Sequence, residues 1–388
     1  MVSIFLISIK TEIIIHDGRR NTSRIESERK MSKMHSIKIL ITGVGAPGAP
    51  GIIRCLRSIR ERKIILIGTD KNQMASGRKL VDDFYVVPDA TDSRFIDELI
   101  NVAENISADV VIPLVTKELD VISENLRLFQ EKKIIVSCME AEKLKMSNDK
   151  AILLETLRTD GFETPEFKTV TTVDELINAV YEMGYPNKAV CIKSAKGNGS
   201  RGVRIIDPNR SLFDMFFFEK PNSLFSTLDN VVDVLRERES LPKMLVMEYL
   251  PGEEYGVDAL SDKGKVIYIS GRRNITVNNS IPQGCVIEER VDPICYSKKV
   301  IEKYCLDGNL NFDFKYDCNG RAQIMEINPR LSATIIAYAP AGINFPYLRV
   351  KQLLGEELPA VSANNGIVMQ RRYQEFFFDT NGEEIIGF

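Results

Sequence analysis

The chain has 388 residues, of which 44% are hydrophobic and 27% charged, and its formal net charge is −3. That length supports two or three domains with substantial cores, and the charge balance gives no electrostatic reason to expect a nucleic-acid partner. Only two histidines occur, His16 and His35, both ahead of the first recognisable element, so a Ser-His-Asp or Cys-His nucleophile, a histidine general base and a His-ligated metal are excluded from the folded body.

Residues 1–35 are short of core signals and rich in charge, with Arg19, Arg20, Arg24, Arg29, Lys30 and Lys33. The apolar start, Met1 to Ile9, is interrupted by Lys10 and Glu12 and has no small-residue cleavage site, so it does not read as a signal peptide. The expectation is a disordered leader. No apolar run anywhere approaches the roughly 18–20 residues needed to span a bilayer. Seven cysteines (55, 138, 191, 285, 295, 305 and 318) are dispersed without a Cys-x-x-Cys pair, which reads as reduced thiols rather than a disulfide frame or a zinc site.

Residues 36–145 show a strand at Ile37–Ile41, a glycine loop, a helix over 51–60 and a second strand ending at Asp70. Further apolar runs at 84–87, 110–113 and 134–137 alternate with helical stretches near 93–105 and 117–130. This alternation predicts a Rossmann-like parallel sheet covered by helices. The loop carries Gly43, Gly45, Gly48 and Gly51, and Asp70 lies 22 residues beyond Gly48. A G-x-G-x-x-G loop with a following acid fits an NAD(P) site. Prolines 47 and 50, however, remove N–H groups that a pyrophosphate would need, so a plain β-α turn is the preferred alternative.

Residues 146–250 open with a helix over 151–159, followed by strands near 166, 189–193, 203–206 and 244–249. The segment 208–242, which includes Phe213 to Phe218, reads as a packed embellishment without assigned function. Between Lys193 and Val203 the chain holds Lys196, Gly197, Gly199, Ser200, Arg201 and Gly202. Backbone amides freed by glycine, together with cations, suit a phosphate cover; an ordinary loop with solvated lysines is the bland alternative. A strand follows instead of a helix, so this is not a P-loop.

Residues 251–388 contain strands near 255–260 and 265–270, a hairpin over 310–328 and a helix near 331–341. Asn319-Gly320 is a strong two-residue turn signal. With that turn Cys318 lies opposite Arg321, Asp313 opposite Glu326 and Asn311 opposite Asn328, and the last four point to one side of the ribbon. Phe312, Phe314 and Tyr316 then enter the core. Carboxylates directly opposed repel, and an all-oxygen set suits Mg²⁺ or Mn²⁺ better than zinc. The alternative is a hairpin with a solvated polar face.

Taken together, the segments Asn148-Asp149-Lys150, Gly161 to Pro165, 193–203, Val246 to Asp258 and Glu326-Ile327-Asn328-Pro329-Arg330 resemble the ATP-grasp superfamily, nearest to its carboxylate–amine ligases and carbamoyl-phosphate-synthase large-subunit-like members. Their order and spacing match over about residues 146–342. The resemblance implies an α/β fold in which a Rossmann-like pre-ATP-grasp domain (36–145) precedes a two-part α+β ATP-grasp fold, with a small lid subdomain (146–250) and a large subdomain (251–388).

It further implies ATP and Mg²⁺ (or Mn²⁺) as cofactors. Lys150, Lys193, Lys196, Ser200 and Gly202 would hold the phosphates. Glu248, Tyr249 and Leu250 would read adenine, and Glu254 the ribose. Asp313, Glu326 and Asn328 would hold the metal, and Arg330 and Lys193 would act on the transferred phosphoryl group. Arg272 and Arg273 are candidates to clamp a substrate carboxylate, with surface arginines at a strand end as the alternative. One departure is visible, since Ser194 stands where many members have proline.

The implied activity is an ADP-forming ligase that phosphorylates a carboxylate and passes the acyl group to an amine. A carbamate- or carboxylate-phosphorylating enzyme is the alternative within the fold, and an NAD(P) dehydrogenase or a non-catalytic nucleotide sensor outside it. The expected partners are small-molecule carboxylate and amine substrates in the cytoplasm, neither nucleic acid nor membrane, with a homodimer compatible.

Overall fold

The computed structural model describes residues 35–197, 199, 201–220, 223–278, 281–380 and 385. The expected leader up to Met34, and Ser200 of the glycine loop, lie outside the described residues.

Three sheets follow one another along the chain. The first comprises β1 (Ile37–Thr42), β2 (Ile64–Asp70), β3 (Asp83–Val86), β4 (Val110–Ile112) and β5 (Ile135–Val136), in the order β3-β2-β1-β4-β5 with every pairing parallel. Ile39, Leu40 and Ile41 are all buried, as required of a strand covered on both faces. The strand order turns back at β1, so a crevice opens beyond the carboxyl ends of β1 and β4. There the 43–51 loop and Thr116 face the last part of the chain.

The second sheet runs β6-β10-β7-β8-β9, from β6 (Phe167–Val170), β7 (Val190–Ser194), β8 (Arg204–Ile206), β9 (Phe225–Ser226) and β10 (Met244–Glu248). The helix Val173–Glu182, started by a capping box between Thr172 and Glu175, and the helix Leu228–Leu235 cover one face. The segment expected to pack as an embellishment instead forms a helix, Leu212–Phe218, that leaves Phe213, Phe216, Phe217 and Phe218 exposed.

The third sheet is antiparallel, with β11 (Glu254–Asp262), β12 (Lys265–Asn278), β13 (Ile281–Ile287), β14 (Gly308–Tyr316), β15 (Ala322–Asn328) and β16 (Val368–Gln370) in the order β15-β14-β11-β12-β13-β16. Phe312 and Phe314 point into a core shared with Leu153, Leu154 and Leu157 of the helix Lys150–Thr159. That packing seats Lys150, the first residue of the helix, over the β14–β15 hairpin. The helix expected near 331–341 is a short 3₁₀ turn, Ile335–Ala337, continued by Tyr338–Ala341. Both pack with Ile52 and Ile53 of the first domain in one core.

The hairpin differs from expectation at its tip. Asp317, not Cys318, faces Arg321: its N–H donates to the Arg321 carbonyl (3.0 Å), and its carboxylate accepts from the N–H groups of Asn319 (2.8 Å) and Arg321 (2.9 Å). The turn therefore holds three residues, with Gly320 at φ 75°, where a left-handed residue is required. A bulge then follows, because Phe314 pairs with Ile324 while Asp313 pairs with Glu326. Met325 is the extra residue. The longer turn shifts the register by one and the bulge shifts it back, so Asp313 opposes Glu326 and Asn311 opposes Asn328 as the sequence predicts.

Candidate active site

The polar face of the hairpin gathers around one atom. Asn328 Nδ2 lies 3.3 Å from Asn311 Oδ1, 3.2 Å from Asp313 Oδ2 and 3.2 Å from Glu326 Oε1. Three side-chain oxygens, two of them from carboxylates, thus converge on a single point. Such a set fits a hard divalent cation that keeps water or phosphate oxygens as its remaining ligands. Among the described residues no group of three His, Cys, Asp or Glu side chains could hold a metal, so a site here depends on the amides as well.

Two lysines reach this face from the second part of the chain. Lys150 Nζ lies 2.9 Å from Glu326 Oε2 and donates to the Gly197 carbonyl at 2.9 Å, which ties the glycine loop to the hairpin. Lys193, near the end of β7, is buried and donates to the Met325 carbonyl at 3.4 Å. Burial pushes Lys193 down to about 8; Lys150 adds to this, while Cys191 and Glu326 oppose it. Burial also pushes Asp313 up to about 7, with Arg272 opposing and Glu326 reinforcing. Burial alone would raise Glu326 too, but Lys150 outweighs it and holds that carboxyl below its ordinary value.

Arg330 closes the site from the third side. Its Nη2 donates to Asn328 Oδ1 (3.3 Å), its Nη1 to the Leu331 carbonyl (3.0 Å) and its Nε to Thr116 Oγ1 (3.3 Å). Thr116 belongs to the first domain, so this guanidinium bridges the crevice.

Arg272 does not present itself as an open clamp. It is 2% exposed, its Nε lies 3.4 Å from Asp258 Oδ2, its Nη1 donates to Asn274 Oδ1 at 2.7 Å, and its Nη2 stands 3.8 Å from Asp313 Oδ1. Its path is cleared by Gly256, which pairs with Arg272 on one side and Asp313 on the other. A Cβ on Gly256 would stand 2.6 Å from the guanidinium carbon. Arg272 therefore reaches toward Asp313 across Gly256, on the same face of the sheet. Asn274 Nδ2 in turn donates to Glu254 Oε2 at 3.4 Å. Arg273 pairs with Glu288 (3.1 Å) and Glu253 (3.6 Å) instead and does not join the cluster.

Of the remaining candidates, Glu248, Tyr249 and Leu250 lie where β10 leads into the third sheet, and Lys196 and Gly202 on the loop between β7 and β8. Glu248 Oε1 accepts from the Glu166 N–H at 2.9 Å. The Tyr249 ring lies 6.3 Å from that of Phe225, with Lys315 Nζ 5.7 Å from its centre. Leu250 is buried and Lys196 exposed. Gly202, at φ 71°, sits against Ser194. Sequence reasoning missed Asp258, Asn274 and Thr116 as members of the site. The parity of β11 carries a signal for Asp258, which faces Asn311 in the register, whereas Thr116 arrives from a separate domain and leaves none.

The first-domain loop is committed to the protein itself. Asp70 Oδ2 accepts from the Gly45 N–H (2.8 Å) and Oδ1 from the Asn72 N–H (2.9 Å). A Cβ on Gly48 would stand 2.7 Å from the Ala333 Cα, and one on Gly51 3.1 Å from the Ile336 side chain. The glycines admit the segment after β15 rather than a pyrophosphate, which removes the NAD(P) reading.

Known proteins resemble this chain in sequence and fold. Residues 240–375 match the family described as ATP-grasp in the biosynthetic pathway with Ter operon, and residues 39–137 match the PylC-like N-terminal domain. The chain has the ATP-grasp fold. Among curated relatives, the carbamoyl phosphate synthase large chain of Clostridium acetobutylicum is 24% identical over 307 residues, covering 76% of this chain and 26% of that protein. The chain thus spans about a quarter of the length of that relative.

Solved ATP-grasp structures share the fold at low identity. N5-carboxyaminoimidazole synthetase from Staphylococcus aureus, complexed with ADP, superposes with a TM-score of 0.60 at 16% identity, covering 85% of this chain and 80% of that one. The biotin carboxylase domain of the Hydrogenobacter thermophilus 2-oxoglutarate carboxylase, complexed with MgADP, ADP and bicarbonate, gives 0.62 at 17%, covering 84% and 71%. Among the described residues of this ATP-grasp chain, no helix is long and apolar enough to cross a membrane.

Proposed function

We propose that this protein is an ATP-dependent, ADP-forming ligase that activates a small carboxylate as an acyl phosphate and transfers it to an amine. The observation that carries the reading is the convergence of Lys150, Lys193, Asp313, Glu326, Asn328 and Arg330 on one face of the hairpin. Nucleotide binding alone does not need two opposed carboxylates and an arginine held between domains. We further propose the organisation into 36–145, 146–250 and 251–388, since each segment builds one sheet.

In this reading Lys150 and Lys193 bind the phosphates as point charges. Lys150 first gives up its contact with Glu326, which frees that carboxylate. Asp313, Glu326 and Asn328 would hold Mg²⁺, which when bound supplies charge neutralisation at the terminal phosphates. Arg330, oriented by Thr116, faces the negative charge that develops on the transferred phosphoryl oxygens. The substrate carboxylate oxygen bonds to the γ-phosphorus as the bond to ADP breaks. The amine then attacks the acyl carbon, phosphate departs and the surplus proton can leave with it. The 193–203 loop, tied to Lys150 through Gly197, is placed to keep water from the acyl phosphate.

A carbamate- or carboxylate-phosphorylating reaction is the second reading, supported by the match to the carbamoyl phosphate synthase large chain. The unpaired state of all seven cysteines supports a reducing, cytoplasmic setting. ADP release from Mg·ATP, measured across amino acids and small carboxylates with and without an amine, tests both readings. Stimulation only by a carboxylate–amine pair supports the ligase, and stimulation by a carboxylate or bicarbonate alone supports the second reading. Silence throughout refutes both.

A further inference from the structure

A cavity of about 780 Å³ lies on the joint between the first and third sheets, and no side chain of the hairpin cluster lines it. Its volume is within the range of small-molecule sites. One wall is apolar, with Leu126 from the helix Leu126–Glu131 and Ile135 and Val136 from the edge strand β5. The other wall is made by the turn at Lys263 and the segment at Asp307.

The charges at its rim are unequal. Lys133, Lys143 and Lys263 line it, against Glu140 and Asp307. Asp307 is already engaged, with Arg349 Nη2 at 3.1 Å and the Lys263 backbone N–H at 3.1 Å. Lys143 Nζ likewise donates to the Cys305 carbonyl at 2.8 Å, so Lys133 and Lys263 are the cations that remain to face the cavity, with Glu140 as the uncommitted carboxylate. Lys133 and Lys263 also hold left-handed backbone, at φ 58° and 45°, a conformation that costs a non-glycine residue energy and persists where the surroundings enforce it.

The cavity continues toward the catalytic cluster. Cys138, Met139 and Asp307 line both it and an adjoining void of about 10 Å³, whose far side is Asn309, Pro329 and Arg330. Asn309 is buried with neither side-chain polar atom partnered, so this polar side chain is unsatisfied between the cavity and Arg330.

We propose that this cavity is an effector site for an amphipathic anion, a small molecule with one carboxylate or phosphate group on an apolar body. Lys133 and Lys263 receive the acidic group, and the wall formed by Leu126, Ile135 and Val136 takes the body. An occupant that shifts the Asp307–Arg349 pair alters the packing behind Arg330. The effector role rests on the ligase reading; the binding does not.

Calorimetric titration of the full chain with octanoate and with octyl phosphate tests the binding, and the preferred probe identifies the headgroup. Saturable binding is expected for at least one acid, with 1-octanol at least tenfold weaker. The double variant K133E/K263E should lose at least tenfold in affinity at an unchanged melting temperature. No saturable heat from either acid, or equal affinity in the variant, overturns the site. With the bound probe the Kd of Mg·ADP should shift threefold or more, since coupling between sites is reciprocal. An unchanged Kd overturns the effector role alone. Absence of any Mg·ADP binding overturns both that role and the ligase reading, while the acid titration still decides the site.

Discussion

Asp313 and Glu326 stand directly opposite one another on β14 and β15, and the same amide nitrogen, Asn328 Nδ2, lies 3.2 Å from an oxygen of each. Two carboxylates held this close repel unless a positive or donor group lies between them. The protein supplies Asn328 between them, Lys150 against Glu326 and Arg272 near Asp313. Replacing Glu326 by Ala should remove Mg²⁺-dependent ADP release by about a hundredfold or more, as expected when charge stabilisation at the phosphates is lost. The melting temperature should stay close to that of the wild type. Full turnover in that variant would dismiss the metal assignment.

The Asp258–Arg272 pair is buried at both ends, with 1% and 2% exposure. Removing one partner leaves an uncompensated charge, so Arg272→Ala should cost about 3–5 kcal/mol in urea unfolding. A loss below about 1 kcal/mol would show that the pair is not held as described. Gly256→Ala attacks the same contact from the backbone and should lower ADP release more than it lowers stability.

Gly48 separates two explanations of the first loop. If its role is to admit Ala333, Gly48→Val should destabilise the protein by roughly 1–3 kcal/mol through overpacking. NAD(P) should leave the melting temperature of the wild type unchanged. Stabilisation of the wild type by NAD(P), abolished in the variant, would restore the dinucleotide reading.

Glu118 gives a pH prediction. It is buried against Thr42, whose Oγ1 donates a hydrogen bond to its carboxyl. Burial pushes it up to about 7 from an ordinary 4.5, with Asp70 and Asp89 adding to the rise. The folded state therefore holds this proton more tightly than the unfolded chain, and the associated stability is complete below about 4.5 and disappears as pH rises through 7. Glu118→Gln should cancel that loss, leaving the variant more stable at pH 8 by up to about 3 kcal/mol. Identical pH dependence in the two proteins by thermal unfolding would contradict the assignment.

Much of the site was legible because strand parity is rigid. Alternation put Phe312 and Phe314 in the core. Counting back from a two-residue turn put Asp313 against Glu326 and Asn311 against Asn328, which holds because the bulge at Met325 cancels the longer turn. The tip was not legible, because the Asp317 carboxylate captures two backbone N–H groups and lengthens the turn. Nor was the bulge, since Met325 sits in an alternating run with no glycine to mark it. Arg272 was misplaced for a different reason. Its burial depends on Asp258 and on the missing side chain of Gly256, which become neighbours only through the register of three strands. Thr116 and the effector cavity lie between domains, where local pattern carries no information.

The three-residue turn and the bulge at Met325 have a consequence for how this hairpin can vary in descent. Deletion of Met325 alone removes the bulge and leaves Phe314 opposite Ile324 and Asp313 opposite Glu326, and loss of one residue from 318–320 leaves a two-residue turn between Asp317 and Arg321. Neither change turns the oxygen face over, whereas a one-residue slip of the whole ladder would. The tip and position 325 are therefore where this hairpin can absorb a change of length, and surviving length variants should carry it there.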